Sequence, residues 1–175
     1  MPPLEIELNP VQKITTDAIG EPGKRVFYLQ AKGEDQLVTL IVEKQQVQSL
    51  AIGVEQFLRD LKKHHPELSE ASHEYIESEM TLDTPIDPVF RVGQLGLGYD
   101  EESDLLILVA RELQTEDADE ASGSVVRFWC TRSQLRALCH WGLELASRGR
   151  PICGNCGRPI DPDGHFCPKS NGHSH

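Results

Sequence analysis

The sequence predicts an α+β fold in which two β3α half-repeats, a mostly antiparallel sheet with two packed helices, are followed by a small zinc-ribbon-like knuckle. Three observations predict it. Alternating or continuous apolar segments, cut by turn residues, give way twice to apolar spacing of helical period. The segments where strand meets helix, Val42 to Leu50 and Cys130 to Leu138, align at a constant offset of 88. And three of the five cysteines fall within residues 150–175, among turn formers and without apolar periodicity.

In chain order, Leu4–Leu8 alternates as a half-buried strand and Asn9-Pro10 breaks it. Gln12–Ile19 and Arg25–Gln30 are strands on either side of a turn at Gly20–Gly23. Leu37–Val42 is a nearly continuous β-rich run that fits a central strand. From Lys44 onward Val47, Leu50, Ile52, Val54, Phe57, Leu58 and Leu61 keep helical spacing, with Lys62 and Lys63 at the negative pole of the dipole and Pro66 closing the segment. Residues 65–88 are an acidic connector. Phe90–Tyr99 and Leu105–Leu113 are strands around the Asp100–Ser103 turn, Thr115–Gly123 is an acidic loop, and Val125–Cys130 is the last strand. A helix then runs from about Ser133 to Ser147, capped by Thr131 or Ser133 and ended by Gly149. The body is therefore 1–149, with half-repeats at about 4–64 and 89–149, and the tail is 150–175. A β3α unit cannot bury both its sheet face and its helix stripe alone, so the two units should share a core.

Charge narrows the partners. The chain carries a net −11. Residues 1–149 hold 14 basic against 26 acidic side chains, −12, and the tail holds three against two, +1. An acidic body repels phosphate backbones, so nucleic acid is disfavoured and could engage only Arg150, Arg158 and Lys169 of the tail. No apolar run reaches the length of a membrane span and Met1-Pro-Pro-Leu4 is no signal peptide, which places the chain in the cytoplasm, away from membranes.

The tail carries the sharpest chemistry. Cys153-Gly-Asn-Cys156-Gly157 is a C-x2-C-G knuckle, and its glycines permit the tight turn that brings two thiolates to one ion. Cys167 supplies a third ligand, and His165 or His173 the fourth. The Asp161–Gly164 turn folds His165 back toward the knuckle and favours it. Three soft thiolates and an imidazole suit Zn2+. A redox C-x-x-C pair or a disulfide would account for fewer of these residues. Such a site is coordinatively full, hence structural rather than catalytic.

Other signals are weaker. Gly93, Gly96 and Gly98 lie inside a strand, so close packing or a bulge explains them better than a phosphate loop. Cys130 and Cys139 are expected to be buried, His140 to be a surface or packing residue, and no nucleophile elbow or dyad is present. Lys44 and Arg132 hold matching positions before the two helices and, with Gln46 and Gln134, could line a polar anion site; solvent exposure, or pairing of Lys44 with Glu43, is the plainer alternative.

The segments 20–31, 42–51, 90–100 and 149–172 resemble a bacterial family of unknown function, numbered 3090 among such domains. The resemblance covers nearly the whole chain. It implies that the tail histidine is His165 and the cysteines are Cys153, Cys156 and Cys167. It implies no activity. The sequence therefore points first to a non-catalytic module for protein partners with a structural zinc knuckle. The alternatives are an enzyme or small-anion binder using Lys44, Arg132 and Arg91 between the halves, and a nucleic-acid-associated zinc ribbon.

Overall fold

The computed structural model describes residues 3–21, 23–114 and 123–148. The four tail ligands and most of the acidic loop lie outside these residues. Seven strands, β1 (Glu5–Leu8), β2 (Lys13–Ile19), β3 (Val26–Lys32), β4 (Leu37–Val42), β5 (Pro88–Asp100), β6 (Leu105–Glu112) and β7 (Val125–Cys130), form one mixed, mostly antiparallel sheet. Two long helices, α1 (Lys44–His64) and α2 (Arg132–Arg148), complete the α+β body. The strands stand in the order β1-β7-β6-β5-β4-β3-β2. Each of the runs β2-β3-β4 and β5-β6-β7 is an antiparallel meander followed by a helix. The meanders meet through parallel pairing of β4 with β5.

The first strand departs from chain order. β1, which its place in the sequence groups with the first half, pairs in parallel with β7 of the second. One peptide later the chain crosses over. The Val11 amide donates to the Trp129 carbonyl on β7 at 2.8 Å, and the neighbouring Gln12 amide donates to Lys32 on β3 at 2.7 Å. Adjacent residues thus bond to opposite ends of the sheet, which must curl until its edges meet there.

Both helices begin with a reciprocal cap. In α1 the Glu43 side chain accepts from the Gln46 backbone while the Gln46 side chain accepts from the Glu43 amide. In α2 Thr131 Oγ1 accepts from the Gln134 amide at 3.0 Å, and Gln134 accepts from the Thr131 amide at 2.8 Å. This satisfies amide donors that a helix start otherwise leaves orphaned. The two glutamines also reach sideways: Gln46 donates to the Val92 carbonyl and Gln134 to the Val11 carbonyl. Each helix is pinned to the strand or link that lies beside its own preceding strand.

The curled sheet buries Leu29, Leu40, Leu106, Leu108 and Phe128 in one core with Val47, Val54, Leu135 and Leu138 of the helices. Where α2 crosses α1 and β2, Gly142 sits so close that a Cβ there would lie 2.6 Å from Val47 Cγ1 and 3.3 Å from Thr16 Cγ2. Beside it Trp141 donates its indole N–H to the Thr16 carbonyl at 2.7 Å.

The opposite face of the first meander is polar and yet buried. Thr15, Gln30 and Thr39 are cross-strand neighbours, at most 2% exposed. Gln30 exchanges hydrogen bonds with both backbone groups of Asp83 and donates to Thr39 Oγ1, while Thr15 Oγ1 donates to the Met80 carbonyl. The 65–88 connector is therefore a strap whose backbone satisfies a row of buried polar side chains.

The helix crossing yields a prediction. Gly142→Ala gains helix propensity of about 1 kcal/mol, but a methyl 2.6 Å from the stiff, β-branched Val47 costs about 1–3 kcal/mol of overpacking. A net loss in urea denaturation, smaller in a Val47→Ala background, is expected; a more stable Gly142→Ala chain would refute the packing account.

Candidate functional site

Several concave regions are places where the described residues could act. The first region is a cavity of about 280 Å³ between α1, α2 and the start of the strap, floored by Leu58, Leu61, Leu68 and Ala71. Arg59, Lys62, Arg132 and Arg136 rim it, with Glu55 and Glu70. Helical spacing delivers these groups: Glu55, Arg59 and Lys62 follow at intervals of four and three along α1, as Arg132, Arg136 and His140 follow at four along α2.

The charged groups are tied to partners. Arg136 grips Glu55 with Nε at 2.8 Å and Nη2 at 3.1 Å, and its Nη1 donates to the Ala71 carbonyl at 2.6 Å. His140 Nε2 lies 3.0 Å from the same carboxylate, and its ring stacks on His73 with centroids 4.5 Å apart. Arg132 holds Asp104 in the same two-pronged way, at 2.9 and 3.0 Å, and donates to the Ser69 carbonyl. Tyr99 donates its hydroxyl to Asp104 at 2.8 Å, and its ring meets His65 at 5.8 Å. Lys62 donates to the Pro66 and Leu68 carbonyls. These arginines fasten α2 to α1, to the β5–β6 turn and to the strap.

The same pairing moves the acids and bases away from neutrality. The Arg136 hydrogen bond holds Glu55 below the ordinary carboxyl range, and Arg132 does the same for Asp104. Burial, helped by Asp104, pushes the Tyr99 hydroxyl up to about 12. Burial also pushes the thiols of Cys130 and Cys139 up to about 12. A general acid or base works best with a pKa near the ambient pH, and a cysteine nucleophile works as the thiolate. None of these five groups meets that condition.

The second region is the outer face of β5, β6, β7 and β1. Gly96, Val109, Arg127 and Glu7 are cross-strand neighbours there. Arg127 pairs with Glu5 at 2.9 Å, and Trp129 donates to Glu7 at 2.8 Å. Along the far side of β5, a groove of about 430 Å³ separates this strand from α1, between Ser49 and Gly53 on the helix and Leu95 and Leu97 on the strand.

Lys44 and Arg132 are the first residues of α1 and α2, as their matching positions implied. Arg132 rims the inter-helix cavity while Lys44 is not among its lining residues. Arg91, the third residue expected of an anion site, pairs with Glu43 at 2.7 Å. Cys130 and Cys139 are buried, and of the three strand glycines Gly93 is the packing position: a Cβ there would lie 2.7 Å from Leu113 Cα, beside a register shift in β5, whereas one on Gly96 would meet nothing within 4 Å and one on Gly98 only ordinary contacts. The Glu55–Arg136–His140 cluster was not read from the sequence, and the spacing of Arg132, Arg136 and His140 along one flank of α2 was the available signal. Cys153, Cys156, His165 and Cys167 lie outside the described residues, and among the described residues no group of His, Cys, Asp and Glu could hold a metal ion. No helix among them is long and apolar enough to cross a membrane.

A family model described as Protein of unknown function (DUF3090) matches residues 6–167. No curated protein and no solved structure matches the chain.

The depressed pKa of Glu55 fixes a pH dependence. Its ion pair stabilises the fold above the unfolded carboxyl value near 4.5, and that contribution is lost as pH falls through the lower folded value. The stability gap between wild type and Glu55→Gln, from urea denaturation, should shrink as pH falls from about 5 through the lowered folded value. A gap that stays constant would show that the carboxylate charge plays no part.

Proposed function

We propose, from the premise that the chain belongs to the family described as Protein of unknown function (DUF3090), that it is a non-catalytic module for protein partners, built on a repeated β3α body and finished by a structural zinc knuckle. One observation carries the reading: the ionisable groups gathered around the inter-helix cavity are fastened to structural partners, and the shifts they show lead away from neutral pH. Such groups build a rigid scaffold and are poorly placed to move protons during a reaction. The repeat is supported by more than similar patterning. The two helix-capping glutamines, Gln46 and Gln134, lie 88 residues apart and make the same two kinds of bond, one to the cap and one to the adjacent strand or link. The Val11 amide meets Trp129 much as β5 lies beside Ile41, again 88 residues earlier.

For the tail, the donor set itself supports zinc. Cys153, Cys156 and Cys167 supply soft thiolates, and His165 an imidazole, enough to fill a tetrahedron. Zinc bound there would cross-link the tail, and a filled shell leaves no position for an activated water. Elemental analysis of the untagged full chain should find one zinc per chain, lost on His165→Ala, with Cys153→Ser lowering thermal stability. Metal-free protein whose stability is unchanged by Cys153→Ser would overturn the knuckle.

A second reading, an anion site, is favoured by one feature. Arg59, Lys62, Arg132 and Arg136 converge on an apolar floor in a body that is otherwise acidic. If it holds, inorganic phosphate should raise the melting temperature of wild type and not of Lys62→Ala, and less so at high salt. Equal shifts in both proteins would exclude this cavity.

A further inference from the structure

The groove between α1 and β5 has a counterpart on the other half of the body, and there the strap crosses between helix and strand. Glu74, Tyr75, Ile76, Glu79 and Met80 of the strap form one wall of a cavity of about 600 Å³ whose other walls include Gln12–Ile14 and, on α2, Ser133, Gln134 and Ala137. They are fixed by specific contacts. The Ser72 amide donates to Ser133 Oγ, the Tyr75 ring meets Trp141 at 5.6 Å, and Thr15 donates to the Met80 carbonyl. Beyond Met80 the strap turns over the outer face of β2-β3-β4 and covers Gln30.

The corresponding channel on the second half is bare among the described residues. Its lining includes Gln46, Ser49, Leu50, Gly53, Leu95 and Leu97, with no charged side chain. Ile52, which helical spacing grouped with the apolar stripe, instead stands beside the groove immediately before Gly53 and is 72% exposed, the highest value among the exposed large apolar residues. The difference centres on one position. Gly53 lies eleven residues after the end of β4, and Trp141 lies eleven after the end of β7. Where the second helix places an indole against β2, the first places a hydrogen atom, and the nearest atom to a Cβ on Gly53 would be Leu97 Cδ1 at 4.0 Å. A Cβ on Gly96 would likewise meet nothing within 4 Å. The groove is uncharged, mostly apolar with glutamines and a serine along it, and short of one large side chain.

The chain has a segment of the right length and origin to fill it. The strap that leaves α1 spans 23 residues, 65–87, before β5 begins. The segment that leaves α2 spans 27, 149–175. It is nearly uncharged against an acidic body, and its one Phe, Trp or Tyr residue, Phe166, lies between the expected metal ligands His165 and Cys167. We propose that the tail of the same chain docks in the α1–β5 groove, with Phe166 seated over Gly53, so that the knuckle does for the second half what the strap does for the first. This rests on the repeat and knuckle reading given above and adds an occupant and a place. A metal cross-link would lower the entropy cost of docking so short a segment, because the knuckle arrives already folded.

The test uses the full chain with a photo-cross-linking amino acid at Ile52, prepared as an equal mixture of heavy- and light-isotope protein, with zinc content measured on the same sample. Cross-links from position 52 to peptides within 149–175, without mixed-isotope products, are the expected result. Phe166→Ala should reduce them several-fold while zinc is retained, and a cross-linker at Ile19, which is exposed at the far end of β2, should give none. Mixed-isotope products would overturn the proposal in favour of docking between copies. Zinc-loaded protein without tail cross-links would overturn the docking and leave the knuckle standing. Tail cross-links without zinc would sustain the docking and remove the knuckle.

Discussion

The body depends on the two consecutive amides at Val11 and Gln12, which bond to β7 on one side and β3 on the other. A seven-stranded sheet would otherwise present two edges, each a row of unpaired donors and acceptors open to foreign strands. Joining the edges within one peptide forces the sheet to curl, and a curled sheet offers a concave face too wide for its own side chains to fill. Two helices fill it, so their mutual packing is fixed by the sheet. This is why Gly142 has no room for a methyl: α2 must meet α1 and β2 at one point. It is also why Trp141, on a helix that follows β7, bonds to a carbonyl of β2 at the opposite end of the strand order.

The ion pairs inside this frame are best understood as selectors of arrangement. Burying a charge pair removes favourable hydration that the Coulombic attraction recovers only in part, so a well-packed apolar pair could hold the helices as firmly. What Arg132 and Arg136 add is direction. Each planar fork takes one carboxylate with two donors and a strap carbonyl with a third, so helix, turn and strap fit in a single register. A carboxylate held so firmly stays ionised to lower pH than a free one.

Much of the secondary structure was legible because its signals are local. The alternation of Leu4–Leu8, the β-rich run at Leu37–Val42, the shift to helical period at Lys44 and the Thr131 cap each rest on neighbours a few residues apart, and the structure keeps them within a residue or two. The long-range pairings were not legible. Nothing near Glu5 announces that its strand will lie beside Val125, and nothing near Arg132 names Asp104, 28 residues earlier, as its partner. The second role of the connector was not legible. Its prolines and acids mark the joint between the halves, but its backbone is also the hydrogen-bonding surface for Thr15 and Gln30, a role that side-chain patterning cannot express. The metal ligands were read from spacing and turn chemistry, and they fall in the tail, outside the described residues.

The two meanders show how partners dictate composition. On the strapped face the cross-strand row is Thr15, Gln30, Thr39; on the open face the row at the same place is Gly96, Val109, Arg127. A buried glutamine is tolerable only where its amide finds fixed donors and acceptors, and an orphaned one would cost on the order of 1–3 kcal/mol. The strap backbone supplies them for Gln30. On the other meander Arg127 keeps its guanidinium at the surface beside Glu5, so that row needs no strap over it to satisfy it. Among the described residues the adjoining groove, lined by Leu50, Leu95 and Leu97 beside Gly53, is uncovered, and its apolar surface would gain by being covered.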